Sequence, residues 1–129
     1  TEAVGIADLA GIDDQVFLAV QIETIQAVEH AEEIMGVDGV DGCWIGPGDL
    51  GKSMGIDRTT LEGSELHTAA VRRAIEACHK TGKIPGISMG TAEECQRWID
   101  EGCLFVTAGV DIGWVLEGAE QTLRKLGRV

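Results

Sequence analysis

Glu23 closes the apolar run "VFLAVQIE", and Asp49 sits in the loop "WIGPGDLG" just past a second apolar run. Two carboxylates plus waters are the usual protein contribution to a Mg²⁺ site, with substrate oxygens completing the octahedron. The same loop spells G-x-G-x-x-G through Gly46, Gly48 and Gly51, the spacing of a dinucleotide phosphate loop. The two chemistries exclude each other, because a carboxylate repels a phosphate. A dinucleotide site needs a helix opening directly on the glycines and an acidic residue about 20 positions on, ending the next strand. The stretch "KSMGIDRTTLEGSE" that follows is polar, holds Gly55 and Gly63, and offers no strand; Glu62 and Glu65 end no apolar run. Of these two chemistries the cation is the one favoured. Gly46 and Gly48 then let backbone approach a ligand closely, and the amides around Gly48 and Asp49 can donate to an anion. Plainer roles stand beside these: Glu23 next to Thr24 as an aid to a helix cap, and Asp49 as a turn residue between glycines.

Something must bring the two acids together. Four apolar runs span Val16–Glu23, Gly42–Gly46, Lys83–Met89 and Cys103–Gly109, none alternating cleanly, as expected of parallel strands buried on both faces. A stretch of helical period follows each. Ile25, Val28, Ile34 and Met35 share a stripe ending at Gly36. After the second run come a loop and a helix from about Ser64 to Lys80, with Val71, Ala74, Ile75 and Cys78 inward. Thr91 and Glu94 spell a capping box, with Trp98 and Ile99 inward and Gly102 as the stop. Asp111 is the expected N-cap of a last amphipathic helix carrying Val115, Leu123 and Leu126. The order β-α-β-α-β-α-β-α implies right-handed crossovers and a parallel sheet. A (β/α)₈ TIM barrel takes about 250 residues for eight such units, so 129 residues with four predict about half a barrel. Residues 1–129 then form one half-domain, with 1–15 as a connecting segment before the first strand. Adjacent strand ends converge on the site of such folds, which puts Glu23 and Asp49 within reach of one ion.

Composition narrows the partners. Ten basic against 22 acidic residues give a net charge of −12, which argues against nucleic acid. No run reaches the roughly 18 apolar residues of a membrane span, and no signal peptide is visible. Cys43, Cys78, Cys95 and Cys103 form no C-x-x-C pair and fall in apolar runs or faces, as buried thiols of a reducing cytoplasm do. His30, His67 and His79 fall within predicted helices and are expected at the surface. The chain begins at Thr1, as a processed product or a piece of something longer would.

The stretch "VQIETIQAVEHAEEIMGVDGVDGCWIGPGDLGKSMG", with "GKIPGI" and "FVTAGVDIGWV" further on, resembles the metal-dependent pyruvate aldolases. These cleave 4-hydroxy-2-oxoheptanedioate or 2-keto-3-deoxy sugar acids, with macrophomate synthase as a relative. Their Gln-Ile-Glu at a strand end and Gly-Pro-x-Asp-Leu about 25 residues on are matched by Gln21, Ile22, Glu23 and by Gly46, Pro47, Gly48, Asp49, Leu50. The resemblance implies Glu23 and Asp49 as ligands of Mg²⁺, Mn²⁺ or Co²⁺, and Gln21 as a hydrogen-bonding neighbour. The amides of Gly48 and Asp49 would bind the pyruvate carboxylate. Ser88 would stand where the family lines the pyruvate methyl with an aliphatic residue. The ion would stabilise the pyruvate enolate of a retro-aldol cleavage that also yields an aldehyde. Such stabilisation grows toward the transition state and so counts as catalysis. An anionic substrate also needs a local positive centre in a chain this acidic.

The family's base His and its Arg belong to earlier strands, so the resemblance implies an isolated chain that is inactive. It also implies a homo-oligomer, a hexamer in relatives, in which the last helix with Trp114 and Val115 packs on a neighbour; the same helix could instead cover its own barrel. Completion by an N-terminal half is the other expected partnership, since half a barrel has two open strand edges. Two other roles fit the residues: a non-catalytic half-barrel binding metal or keto acid, and a citryl- or malyl-CoA lyase with Arg72, Arg73 and Lys80 as a thin basic patch.

Overall fold

The computed structural model describes residue 11 and residues 15–128. Apart from Gly11 and Gln15, the segment 1–15 lies outside the described residues. Four strands, β1 (Ala19–Ile22), β2 (Gly42–Ile45), β3 (Ile84–Met89) and β4 (Phe105–Ala108), form one parallel sheet in the order β1-β2-β3-β4. Helices α1 (Ile25–Glu29) and α2 (Ala31–Met35) follow β1. Helices α3 (Pro47–Met54) and α4 (Leu61–Thr81) follow β2, α5 (Ala92–Asp100) follows β3, and α6 (Asp111–Lys125) follows β4. This is the expected alternating α/β order.

Local chemistry explains the boundaries. Thr24, Thr60 and Thr91 each accept a backbone N–H through the side chain, at Ala27, Gly63 and Glu94 respectively. The capping box at Thr91 and Glu94 is present in both directions. Pro47 opens α3, where a missing N–H costs nothing. Gly55 and Gly82 close α3 and α4 at φ 65° and 69°, a left-handed cap that a side chain would strain.

Several expectations are corrected. The segment after β2 is a helix, not a loop: Pro47 at the first position and Gly55 at the stop outweigh its polar composition. The following helix starts at Leu61 rather than Ser64, because Thr60 is a better cap. The first strand is shorter than the apolar run, with Val16, Phe17 and Leu18 exposed ahead of it. Its helical stripe is broken at His30 into α1 and α2. Val110, not Asp111, is the N-cap of α6; Asp111 Oδ1 accepts from Ile112 N at 2.8 Å instead. Ile99 is exposed, whereas Trp98 is buried as expected.

The strands are fully buried on one face and only partly on the other, against the expectation of two buried faces. Parallel register pairs Gln21 with Trp44, Trp44 with Gly86, and Gly86 with Phe105, so these residues stand in one row. Their neighbours Ile22, Cys43, Ile45 and Ile87 alternate to the other face, are at most 1% exposed, and pack with Val71, Ala74 and Cys78 of α4. Each isoleucine buried there contributes about 2 kcal/mol. The row's own face carries Gln21 and Phe105 exposed and Trp44, Ser88 and Thr107 half-buried. Phe17 and Trp44 flank Phe105 there, with ring centroids 5.8 and 6.5 Å from it. Helix α6 buries none of its residues, so Val115, Leu123 and Leu126 are uncovered, as is Trp114 at 62% exposure.

Candidate active site

Because all the strands are parallel, β1 and β2 end side by side. The Gly46 N–H donates to Ile22 O at 3.1 Å, extending the ladder one step and fixing Glu23 beside Gly46. A Cβ at Gly46 would lie 3.1 Å from Glu23 Oε2 and 3.3 Å from Gln21 Nε2, so the glycine is what admits the acid. Gln21 Nε2 donates to Glu23 Oε2 at 2.7 Å, which orients the carboxylate. Thr24, not Glu23, caps α1.

Asp49 lies in the first turn of α3, a favourable place for an anion. It is not a turn residue. Leu50 is the first residue of α3 whose N–H reaches a helical carbonyl, Gly46 O at 2.9 Å. The Gly48 and Asp49 amides precede it and have no acceptor among the described residues. A Cβ at Gly48 would meet nothing within 4 Å. An open pocket of about 250 Å³ adjoins it, lined by Gln21, Trp44, Gly46, Pro47, Gly48, Asp49 and Ser88. Every substrate-binding candidate read from the sequence therefore borders one space, and Glu23 reaches its edge through Gln21.

The two acids fit a divalent ion in part. Both lie at the same end of the sheet, and each offers an oxygen without a protein donor among the described residues, Glu23 Oε1 and Asp49 Oδ2. Lys52 Nζ sits on Asp49 Oδ1 at 2.9 Å, and that hydrogen bond holds the ammonium above its ordinary pKa. The pair is exposed, so parting it costs little. No cluster of three or more His, Cys, Asp or Glu gathers among the described residues. Waters and substrate oxygens would have to fill the remaining positions.

Two further residues hold the loop from behind. His67 Nε2 lies 2.8 Å from Pro47 O, and Arg58 Nη1 donates to the same oxygen at 3.0 Å. His67 is 7% exposed, which corrects its expected surface position. The signal was present, since His67 shares the helical stripe of Val71, Ala74 and Cys78. Trp44, on the row with Gln21, was likewise missed, and its buried Nε1 has no partner among the described residues. His30 and His79 are exposed as expected.

Burial pushes the His67 pKa below its ordinary value and the Arg58 charge adds to this, against the opposing hydrogen bond to Pro47. Stability carried by neutral His67 is thus complete above about pH 6.5, the unfolded value, and is lost as pH falls toward the lower folded one. Urea midpoints at neutral and mildly acidic pH should differ less for His67→Gln than for the wild type. An equal difference contradicts this.

The four cysteines are free and buried, with Cys43 and Cys78 Sγ atoms 3.3 Å apart. The basic patch is already engaged: Arg72 grips Glu101 at 2.6 and 2.7 Å, Lys80 meets Glu32 at 2.7 Å, and Arg73 donates to Glu29 O. No helix among the described residues is long and apolar enough to cross a membrane.

Comparison with known proteins identifies relatives of this chain. Residues 4–117 match the family described as HpcH/HpaI aldolase/citrate lyase. A 4-hydroxy-2-oxo-heptane-1,7-dioate aldolase of Klebsiella pneumoniae is 40% identical over 111 residues, covering 84% of this chain and 40% of that protein. The chain therefore spans about two fifths of the length of that relative. A crystal structure of an HpcH/HpaI aldolase/citrate lyase family protein from Burkholderia cenocepacia superposes with a TM-score of 0.77 at 28% identity, covering 88% of this chain and 43% of that one. Macrophomate synthase shares the fold, with a TM-score of 0.64 at 20% identity over 86% of this chain and 40% of that one.

Proposed function

The chain belongs to the HpcH/HpaI aldolase/citrate lyase family, and from that premise we propose that the protein it is part of is a carbon–carbon lyase. Its reaction is the cleavage or formation of a 4-hydroxy-2-oxo acid, with pyruvate and an aldehyde as the small-molecule partners. The observation that carries this is the pocket in which Gln21, Gly46, Gly48 and Asp49 meet, with Glu23 held at its rim by Gln21.

Glu23 and Asp49 would hold a divalent ion, Mg²⁺, Mn²⁺ or Co²⁺; when bound, it supplies Lewis-acid stabilisation of charge on a keto oxygen. Gln21 fixes the direction of the Glu23 carboxylate. The Gly48 and Asp49 amides receive the keto acid's carboxylate at the helix start, where donors and dipole both favour an anion. Gly46 keeps the backbone close enough for both. Ser88 borders the same pocket from β3 and would shape the space beside the substrate.

No described histidine faces this pocket, so the base is assigned to the rest of the protein. The uncovered row of Gln21, Trp44 and Phe105 supports a half-barrel, because parallel sheets are covered on both faces. We assign residues 1–129 to one half of a single (β/α)₈ domain, completed by an N-terminal half. The uncovered helix α6 suits a homo-oligomer, and four buried free thiols suit a cytoplasmic setting. The CoA-lyase alternative would draw on Arg72, Arg73 and Lys80, of which Arg72 and Lys80 face Glu101 and Glu32 in exposed ion pairs.

The complete protein should release pyruvate from a 4-hydroxy-2-oxo acid with Mn²⁺ present and cease when the metal is chelated. The purified 129-residue chain should not exceed buffer. Turnover by the isolated chain overturns the missing base, and metal-independent turnover by the complete protein overturns the role of Glu23 and Asp49.

A further inference from the structure

We infer that His67, with Arg58 as second donor, is a positioning residue that locks the Pro47–Gly48 peptide plane so that the Gly48 N–H faces the keto-acid pocket. This rests on the reading that the Gly48 amide receives the substrate carboxylate.

A trans peptide is planar, and its C=O and N–H point in opposite directions. No cis bond occurs among the described residues. Whatever fixes the Pro47 oxygen therefore fixes the Gly48 hydrogen on the far edge of the same plane. That oxygen accepts from His67 Nε2 at 2.8 Å and from Arg58 Nη1 at 3.0 Å. Since the partner is a carbonyl, the His67 ring carries its proton on Nε2.

The plane lies in the first turn of α3, so the helix already sets its direction, and the two side-chain donors hold that frayable first turn in place. Gly48 has no side chain, and nothing lies within 4 Å of where one would stand, so no side-chain packing adds to that hold. Donors on a carbonyl also polarise the amide, making its N–H a stronger donor to an anion.

The third glycine of the loop now has a purpose. A Cβ at Gly51 would fall 2.5 Å from Arg58 Cδ, so Gly51 makes the seat on which the arginine lies to reach Pro47. Gly46 makes room for Glu23, Gly48 leaves the ligand side open, and Gly51 admits the clamp. The G-x-G-x-x-G spacing thus arises from three separate clearances with no phosphate involved. His67 is held in turn by its place on α4 beside Ala70 and Val71.

The test uses the complete protein, ¹⁵N-labelled, and its Gly48 amide resonance. Without ligand, His67→Leu should move that resonance upfield in both dimensions, whereas His67→Gln, which keeps a donor at the Nε2 position, should leave it near the wild-type position. Arg58→Met, altered at an exposed side chain, should produce a smaller shift of the same sign and serves if the leucine variant fails to fold. With pyruvate and Mg²⁺, the leucine variant should bind about tenfold more weakly, the scale of one lost hydrogen bond to a charged group, and the glutamine variant should recover most of this. A Gly48 resonance indifferent to His67→Leu, or to Arg58→Met where the leucine variant does not fold, overturns the clamp. So does equal pyruvate affinity in wild type and the leucine variant. If pyruvate leaves Gly48 untouched in the wild type while the variants still move it, the clamp stands as a structural device, its role toward substrate falls, and the carboxylate-binding reading is what has failed.

Discussion

Glu23→Gln and Asp49→Asn should each lower metal-dependent turnover of the complete enzyme by about a thousandfold or more while the fold stays intact. The magnitude follows from the several kcal/mol that a Lewis acid contributes to a developing enolate, at about 1.4 kcal/mol per tenfold in rate. The fold should survive because neither acid supports it. Glu23 takes one hydrogen bond from Gln21, and Asp49 takes one from an exposed lysine. Steady-state kinetics across a Mn²⁺ series, with circular dichroism melts as the control, measure both halves. Retained activity in chelated buffer removes the metal from the mechanism. Loss of activity together with collapse of the melt would instead give the acids a structural role that their surroundings do not suggest.

Gly48→Val should raise KM for the keto acid on the order of a hundredfold, the scale of a 1 Å misplacement in an active site. The prediction is clean because the substitution costs the ligand-free protein little. Gly48 is not among the positive-φ glycines, and its missing Cβ points into open space. Any penalty then comes from a side chain standing where the substrate carboxylate would lie. Gly46→Ala is a poorer probe, because a methyl there presses on Glu23 and Gln21 directly. An unchanged KM for Gly48→Val would remove the backbone amides from substrate binding.

Much of this architecture was legible in the chain. Near-continuous runs such as Val16–Glu23 announced parallel strands, and Thr91 with Glu94 announced the start of α5. That Glu23 and Asp49 lie at one end of the sheet followed from topology, since each sits past a strand of a parallel sheet. What was illegible depends on contacts across the fold. Helix α3 looks polar and glycine-rich, yet Pro47 and Gly55 give it sharp ends and Leu50 anchors it in the core. The role of His67 needs α4 folded back over the loop, twenty residues away in sequence. The openness of the Gln21–Trp44–Phe105 row was hidden because apolar runs carry no record of which face has a covering layer.

The alternation along β1, β2 and β3 separates two kinds of residue position. Ile22, Ile45 and Ile87 keep the scaffold, while Gln21, Trp44 and Ser88, one step away on the same strands, face the pocket. Substitutions confined to the latter set would change the lining of the pocket while leaving the isoleucines of the core in place.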